Sequence, residues 1–282
     1  MAIKKIIPIL ILLFVYQPNN AQIVDVSIFG QQFLPSEIIL NNGDTISGYT
    51  ANFIAPKALE IRGIGHSFKS IEERLRLTST KFKFKREING EVENLDIADI
   101  KAIKFIGYHD TIKYEKLKLK TINRNAEVVD LERTVMIPLI QEGKINLYGM
   151  EVLDCSSGCS FSYVLAYIKK PNDEFAYIPF DINRFNFNAV SMDNKFMKAF
   201  EEVGSDCPEF LAYIEKREEI LEYNYNHKKL DNEYGRFEQM RKEKLKQFPK
   251  GPEKRKLSRQ LDVEFCLLPY NILINQYSSL CK

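Results

Sequence analysis

Tryptophan is absent from this 282-residue chain, histidine occurs three times, and the formal net charge is only +2. A near-neutral total gives the whole surface no field with which to draw nucleic acid or an acidic membrane. General DNA or RNA binding is therefore excluded at the level of composition, and any such contact would have to come from a local patch. The short signatures of common chemistries are missing too. There is no Gly-x-Ser-x-Gly, no His-Glu-x-x-His, no phosphate loop and no Gly-x-Gly-x-x-Gly after a strand. His66, His109 and His227 stand far apart in sequence. No set of metal ligands and no cofactor motif is visible, and no catalytic residues are expected. Paired carboxylates leave no sequence signature, so a hydrolase that uses them remains an alternative reading.

Long apolar runs are also scarce. The one such run, residues 6–16, follows Lys4 and Lys5 and precedes Asn20-Ala21-Gln22. It falls well short of the ~20 residues a spanning helix needs. A positive end, a short apolar middle and a small residue before a polar one read as a secretory signal peptide over residues 1–21. Losing Lys4 and Lys5 with the leader brings the +2 to zero. The mature chain is expected to be exported, to the periplasm or the outer-membrane periphery, with no transmembrane segment and with no cysteine after the leader for lipid attachment.

Export makes the five cysteines disulfide candidates. Cys155-Ser156-Ser157-Gly158-Cys159 lies between two apolar strands, where a hairpin tip brings opposed cysteines to bonding distance. The rival readings are two thiols, or a metal or redox pair, and a metal pair lacks further ligands at suitable spacing. Cys207 is expected to pair with Cys281, with Cys207–Cys266 as the alternative. Cys266, beside Phe265 and Leu267, fits the remaining thiol.

Alternation marks strands up to about residue 180. Lys81-Phe82-Lys83-Phe84-Lys85 places both Phe on one face. Phe161, Tyr163, Leu165 and Tyr167 alternate likewise, as do Leu131, Val135, Ile137 and Leu139, with Arg133 interrupting. The apolar phase slips at Gly48, which suggests a bulge or bend, and again between Tyr114 and Leu117. Asn41-Asn42-Gly43-Asp44 and Asn89-Gly90 read as hairpin turns. Helical spacing takes over after Ser191. Asp193 is expected to cap one helix. Asp206, Pro208 and Glu209 are expected to start another, with Asp206 as cap and Glu209 closing a capping box. Pro269 is expected to interrupt the last helix. The predicted fold class is α+β: an antiparallel β domain over residues 22–190, either a sandwich or an open rolled sheet, then a helical region over 191–282.

Inside that helical region a basic arm spans residues 241–259. Arg241, Lys242, Lys244, Lys246, Lys250, Lys254, Arg255, Lys256 and Arg259 face only Glu243 and Glu253, a net of +7. Such an arm suits an anionic envelope component, and an ordinary solvated helix face is the plainer reading.

The order of several motifs resembles uncharacterised exported proteins of Bacteroidota-type bacteria. The residues are Ala21-Gln22 after the leader, Gly43-Asp44-Thr45-Ile46-Ser47-Gly48-Tyr49, Gly143-Lys144-Ile145-Asn146-Leu147-Tyr148, Asp206-Cys207-Pro208 and Tyr277-Ser278-Ser279-Leu280-Cys281. The resemblance implies an envelope protein that is β-rich, then helical, with no assigned activity. The longer basic region, residues 223–259, departs from that pattern. The functional expectation is a non-catalytic envelope protein acting as an interaction or structural module, its partner an envelope protein or an anionic envelope component. The alternatives are a binding protein for a small apolar or anionic ligand held between sheet and helices, and an unrecognised hydrolase.

Overall fold

The computed structural model describes residues 33–51, 58–61, 78–107, 111–123, 125–154, 161–179, 189–226 and 232–281. The leader, Cys155, Cys159 and all three histidines lie outside the described residues. Among those described, strands come first and helices last. The strands are β1 (Leu34–Leu40), β2 (Thr45–Thr50), β3 (Ala58–Ile61), β4 (Lys81–Lys85), β5 (Glu93–Asp96), β6 (Ile100–Ile106), β7 (Thr111–Ile122), β8 (Val128–Gln141), β9 (Asn146–Asp154), β10 (Phe161–Lys169) and β11 (Phe175–Ile178). The helices are α1 (Ala189–Val203), α2 (Pro208–Asn226), α3 (Asn232–Lys246) and α4 (Pro252–Leu280).

The sheet runs β5-β4-β2-β1-β6-β7-β8-β9-β10-β11, and β11 then returns to pair with β7. Five strands, β7 to β11, thus close into a barrel, and β6, β1, β2, β4 and β5 continue from β7 as an open sheet. This corrects the expected choice between a sandwich and an open rolled sheet. Most pairings are antiparallel, as expected, with two parallel exceptions. In an up-and-down ring with an odd number of strands, the first and last run the same way, so β7 and β11 pair in parallel, Phe175 to Ile178 against Lys118 to Thr121. β3 adds a second parallel pairing on β9.

Closure explains the irregular alternation. Each barrel strand sends two buried residues inward: Leu117 and Leu119, Val135 and Ile137, Tyr148 and Met150, Leu165 and Tyr167, Ala176 and Ile178. Period-two spacing fills the lumen with side chains. Tyr114 and Met136 lie on the opposite face, in a second core with Ile38, Phe82, Phe84, Ile100, Ile103 and Phe105. The phase slip between Tyr114 and Leu117 is where β7 changes cores. It pairs with β6 up to Glu115 and with β11 from Lys118. The interruption at Arg133 has a local cause. The β7–β8 register shifts between Lys118 and Lys120, beside Glu132 at φ 49, whose N–H is taken by the Asp130 carboxylate at 2.7 Å. That is a bulge.

Gly48 is not a bulge. The β1–β2 register runs through it, Ser36 opposite Gly48. A Cβ there would sit 2.3 Å from the Lys85 carbonyl oxygen and 2.4 Å from the Phe84 ring, so the missing side chain lets β4 approach β2. Gly149, at φ 157, lies where β9 parts from β8, and a Cβ on it would meet the Leu165 carbonyl at 2.3 Å. Both expected turns form: the Gly43 N–H donates to the Leu40 carbonyl at 3.0 Å, and that of Gly90 to Glu87 at 2.9 Å.

The helices cover the outer face of the barrel. Ile145, Leu147, Ala166 and Ile168 on that face meet Phe196, Phe200 and Val203 of α1, Phe210 and Ile214 of α2, and Tyr270, Leu273, Ile274 and Tyr277 of α4. Phe196 meets Tyr270 edge-on at 4.9 Å between ring centres. Two helices differ from expectation. α1 begins at Ala189, which places Asp193 within the helix. α4 continues through Pro269 because packing against the barrel outweighs the backbone hydrogen bond lost there.

Candidate functional site

Three polar features stand out, and sequence reasoning anticipated two of them. The first joins the chain end to the body. The sulfurs of Cys207 and Cys281 stand 2.06 Å apart with a Cα separation of 5.8 Å, the expected pairing, and Cys266 is half-buried outside any disulfide. α2 starts at Pro208, so Cys207 precedes it, and the Cys207 carbonyl accepts from the Leu211 N–H at 3.1 Å. Asp206 therefore does not cap the helix. Its carboxylate instead accepts from Lys170 at 3.0 Å and from the Tyr277 hydroxyl at 3.1 Å. Lys170 holds the Asp206 carboxyl below its ordinary value, against slight burial, with Tyr277 adding to the effect. Lys144 donates to the Cys281 carbonyl and, at 3.4 Å, to that of Ser278. Phe210 meets Tyr277 edge-on at 5.1 Å. Residues from the β8–β9 turn, the start of α2 and the end of α4 thus form one clamp. Its chemistry is mechanical, because each group is engaged with another group of the chain.

The second feature sits at one end of the barrel, and sequence reasoning missed it. Glu115 continues the inward row of Leu117 and Leu119 one step beyond the apolar layers. The Tyr148 hydroxyl donates to its carboxylate at 2.7 Å, Lys113 pairs with it at 2.5 Å, and Asn146 donates to the Tyr148 oxygen at 3.0 Å. The Gly143 N–H donates to Asn146 Oδ1 at 3.0 Å and so ties the β8–β9 turn to the network. Burial acts to raise the Glu115 pKa, but Lys113 and then Tyr148 outweigh it and leave the carboxylate below its ordinary value. Burial, then the Glu115 charge, pushes the Tyr148 phenol far up. Lys169 is lowered by burial, which Glu115 and Asp173 only partly offset. An ionised acid between two lysines, beside a phenol that holds its proton, satisfies charge at the lip of an apolar lumen. It is not an acid–base pair poised near neutrality. The residues are far apart in sequence, and the only cue was Glu115 as a charge in phase with Leu117 and Leu119.

The third feature is the basic arm, which folds as a helical hairpin. Phe265 of α4 meets Tyr234 and Phe237 of α3, each at 5.6 Å between ring centres, and Leu261 is fully buried. Arg217 of α2 reaches Glu233 of α3 at 2.9 Å. Of the nine basic residues, Arg241 is half-buried and pairs with Asp262 and Glu238, so it belongs to the hairpin's own support. Lys254 and Arg259 are partly covered. Lys242, Lys244, Lys246, Lys250, Arg255 and Lys256 are exposed on both sides of the turn. Phe248 stands in that turn and is 39% exposed. The hairpin therefore gathers cations about an aromatic ring.

Among the described residues no cluster of His, Cys, Asp and Glu is arranged to hold a metal, and no helix is long and apolar enough to cross a membrane. No protein-family model, curated protein or solved structure matches the chain.

Proposed function

We propose that the protein is an exported, non-catalytic envelope protein whose β-body and clamped helices hold a basic hairpin out toward an anionic partner in the envelope. The observation that carries this reading is the hairpin turn. Six exposed cations flank it, while Arg241, the one basic residue of the arm paired with Asp262, serves the hairpin's internal packing. The barrel lumen and the space beneath the helices hold apolar side chains of the core. The two polar clusters on the body are satisfied internally, whereas the six exposed cations of the arm have only Glu243 and Glu253 as acids within residues 241–259.

The test is a pull-down of the mature protein from its own envelope at low and high salt. It is repeated with Lys242, Lys244, Lys246 and Lys250 changed to Gln. The expected result is a partner held by the native protein at low salt and lost both at high salt and in the variant, because surface charge attraction is screened over ~10 Å at 0.1 M salt. A partner retained by the variant at high salt refutes the reading. Recovery of the protein in the cytosol with residues 1–21 attached refutes the export on which it depends.

A further inference from the structure

We infer that the turn between α3 and α4 is an interfacial anchor for an anionic phospholipid surface, with Phe248 as the inserting residue. The inference rests on the reading of the hairpin as the docking element and adds to it the kind of partner.

An acidic protein or glycan would be served by the lysines alone. It gives no role to an aromatic ring held in the turn they flank. Phe248 is one of the few large hydrophobic side chains left exposed among the described residues, and it falls between Lys246 and Lys250 in the segment Phe248-Pro249-Lys250-Gly251-Pro252. The turn is short. The Gln247 N–H bonds the Lys244 carbonyl at 3.2 Å, and α4 starts at Pro252, so Phe248 sits in the connection between the two helices, 39% exposed. A partly exposed apolar residue flanked along the chain by exposed cations is what a bilayer of anionic lipid matches. The ring enters the boundary between headgroups and acyl chains while the lysine stems lie along the surface and their ammonium groups meet phosphates. Reach is adequate as well. From Pro252 to Tyr270, where α4 joins the core against the barrel, a helix rises about 27 Å at ~1.5 Å per residue. The barrel therefore does not have to touch the surface for the tip to do so.

The absence of tryptophan from the whole chain supplies the probe. Phe248→Trp places a single indole at the tip of the full-length mature protein. Vesicles of phosphatidylglycerol with phosphatidylethanolamine are compared with phosphatidylethanolamine–phosphatidylcholine vesicles. The expected result is a blue shift of the emission, and quenching by brominated acyl chains, with the anionic vesicles only, both reversed by high salt. By sedimentation, Phe248→Ser lowers vesicle partitioning roughly tenfold through the lost apolar contact. Lys250→Gln and Lys246→Gln each lower it about fivefold. Matching far-UV circular dichroism and melting of the variants shows that the fold is kept. An indole that stays solvent-exposed on anionic vesicles, or Phe248→Ser binding as tightly as native protein, overturns the anchor. If the envelope pull-down still depends on the hairpin lysines in that case, the broader reading survives and only the lipid assignment falls. If the pull-down is indifferent to them, both fall.

Discussion

Replacing Cys207 and Cys281 together by serine opens a covalent loop whose ends are 74 residues apart. The loop encloses α2, α3 and α4. Chain-entropy bookkeeping for a loop of this size gives about 4.5 kcal/mol at 25 °C. Most of it should appear as a loss of global stability rather than as fraying of the last turn, because the ends have other attachments. Cys207 and Cys281 are 5% and 8% exposed, Tyr277 packs on Phe210, and Lys144 still holds the Cys281 carbonyl. The folded form therefore survives the change, and the cost comes mainly from the freer denatured chain. The expected loss is about 3–5 kcal/mol, which for a chain of this size lowers Tm by about 10 °C. Urea titration followed by far-UV circular dichroism measures it, and a steeper denaturant slope should report the more expanded denatured state. The double variant is the right perturbation, because a reductant would also act on any bond between Cys155 and Cys159. A loss below about 1 kcal/mol, or alkylation of Cys207 and Cys281 in untreated protein, would refute the reasoning.

Two other changes test the body. Gly48→Ala should cost about 1–3 kcal/mol, because the new methyl meets the Lys85 backbone and the Phe84 ring, whereas Gly143→Ala, whose nearest contact is 3.6 Å away, should move the urea midpoint little. Equal effects at the two glycines would contradict the close approach of β2 and β4. Glu115→Gln should cost about 1–3 kcal/mol at neutral pH by leaving Lys113 and Lys169 without their shared counter-charge. Its acid behaviour is the sharper measurement. The folded Glu115 pKa lies below the ordinary 4.5, so the stability it contributes is fully present above that value and fades as pH falls through the lower folded one. Native protein should lose part of its advantage over the variant below about pH 4.5, and a gap that stays constant down to pH 2 would show that the cluster is not held by the Glu115 charge.

Local features of this chain were legible because local physics decides them. Phe82 and Phe84 alternate with lysines and are both fully buried, and both glycine turns close with a backbone hydrogen bond, Gly43 at positive φ and Gly90 without it. Closure of the barrel was not legible, because it depends on β11 finding β7 from more than fifty residues away. Its trace was present in the phase slip between Tyr114 and Leu117. A single strand can explain such a slip by a bulge, and only the partners show that it marks a change of core. Gly48 was misjudged for a related reason. A glycine that makes room for a neighbouring strand and a glycine that bends its own strand look alike in one dimension. Asp206 read as a helix cap because its spacing from Pro208 and Glu209 fits one, yet Lys170 and Tyr277 claim its carboxylate through contacts that no local window contains. The Glu115 cluster draws on β7, β9 and β10, so no run of residues announces it.

The clamp bears on where function should be sought. Three segments far apart in sequence, Gly143 to Tyr148, Asp206 to Pro208 and Tyr277 to Cys281, meet at one place. Lys144 holds the Cys281 carbonyl, Asp206 accepts from Tyr277, and Cys207 bonds Cys281. Tyr148, which ends the first of them, fills the barrel and anchors Glu115. These residues fasten the last helix to the barrel, a task any protein of this build must solve whatever it binds. The turn between α3 and α4 contributes no group to the clamp. Six of the arm's cations are exposed, and Phe248 is 39% exposed. Changes at the clamp act on stability, whereas the lysines and Phe248 keep surface in solvent, which is why the lysine and Phe248 substitutions are the ones that separate function from stability.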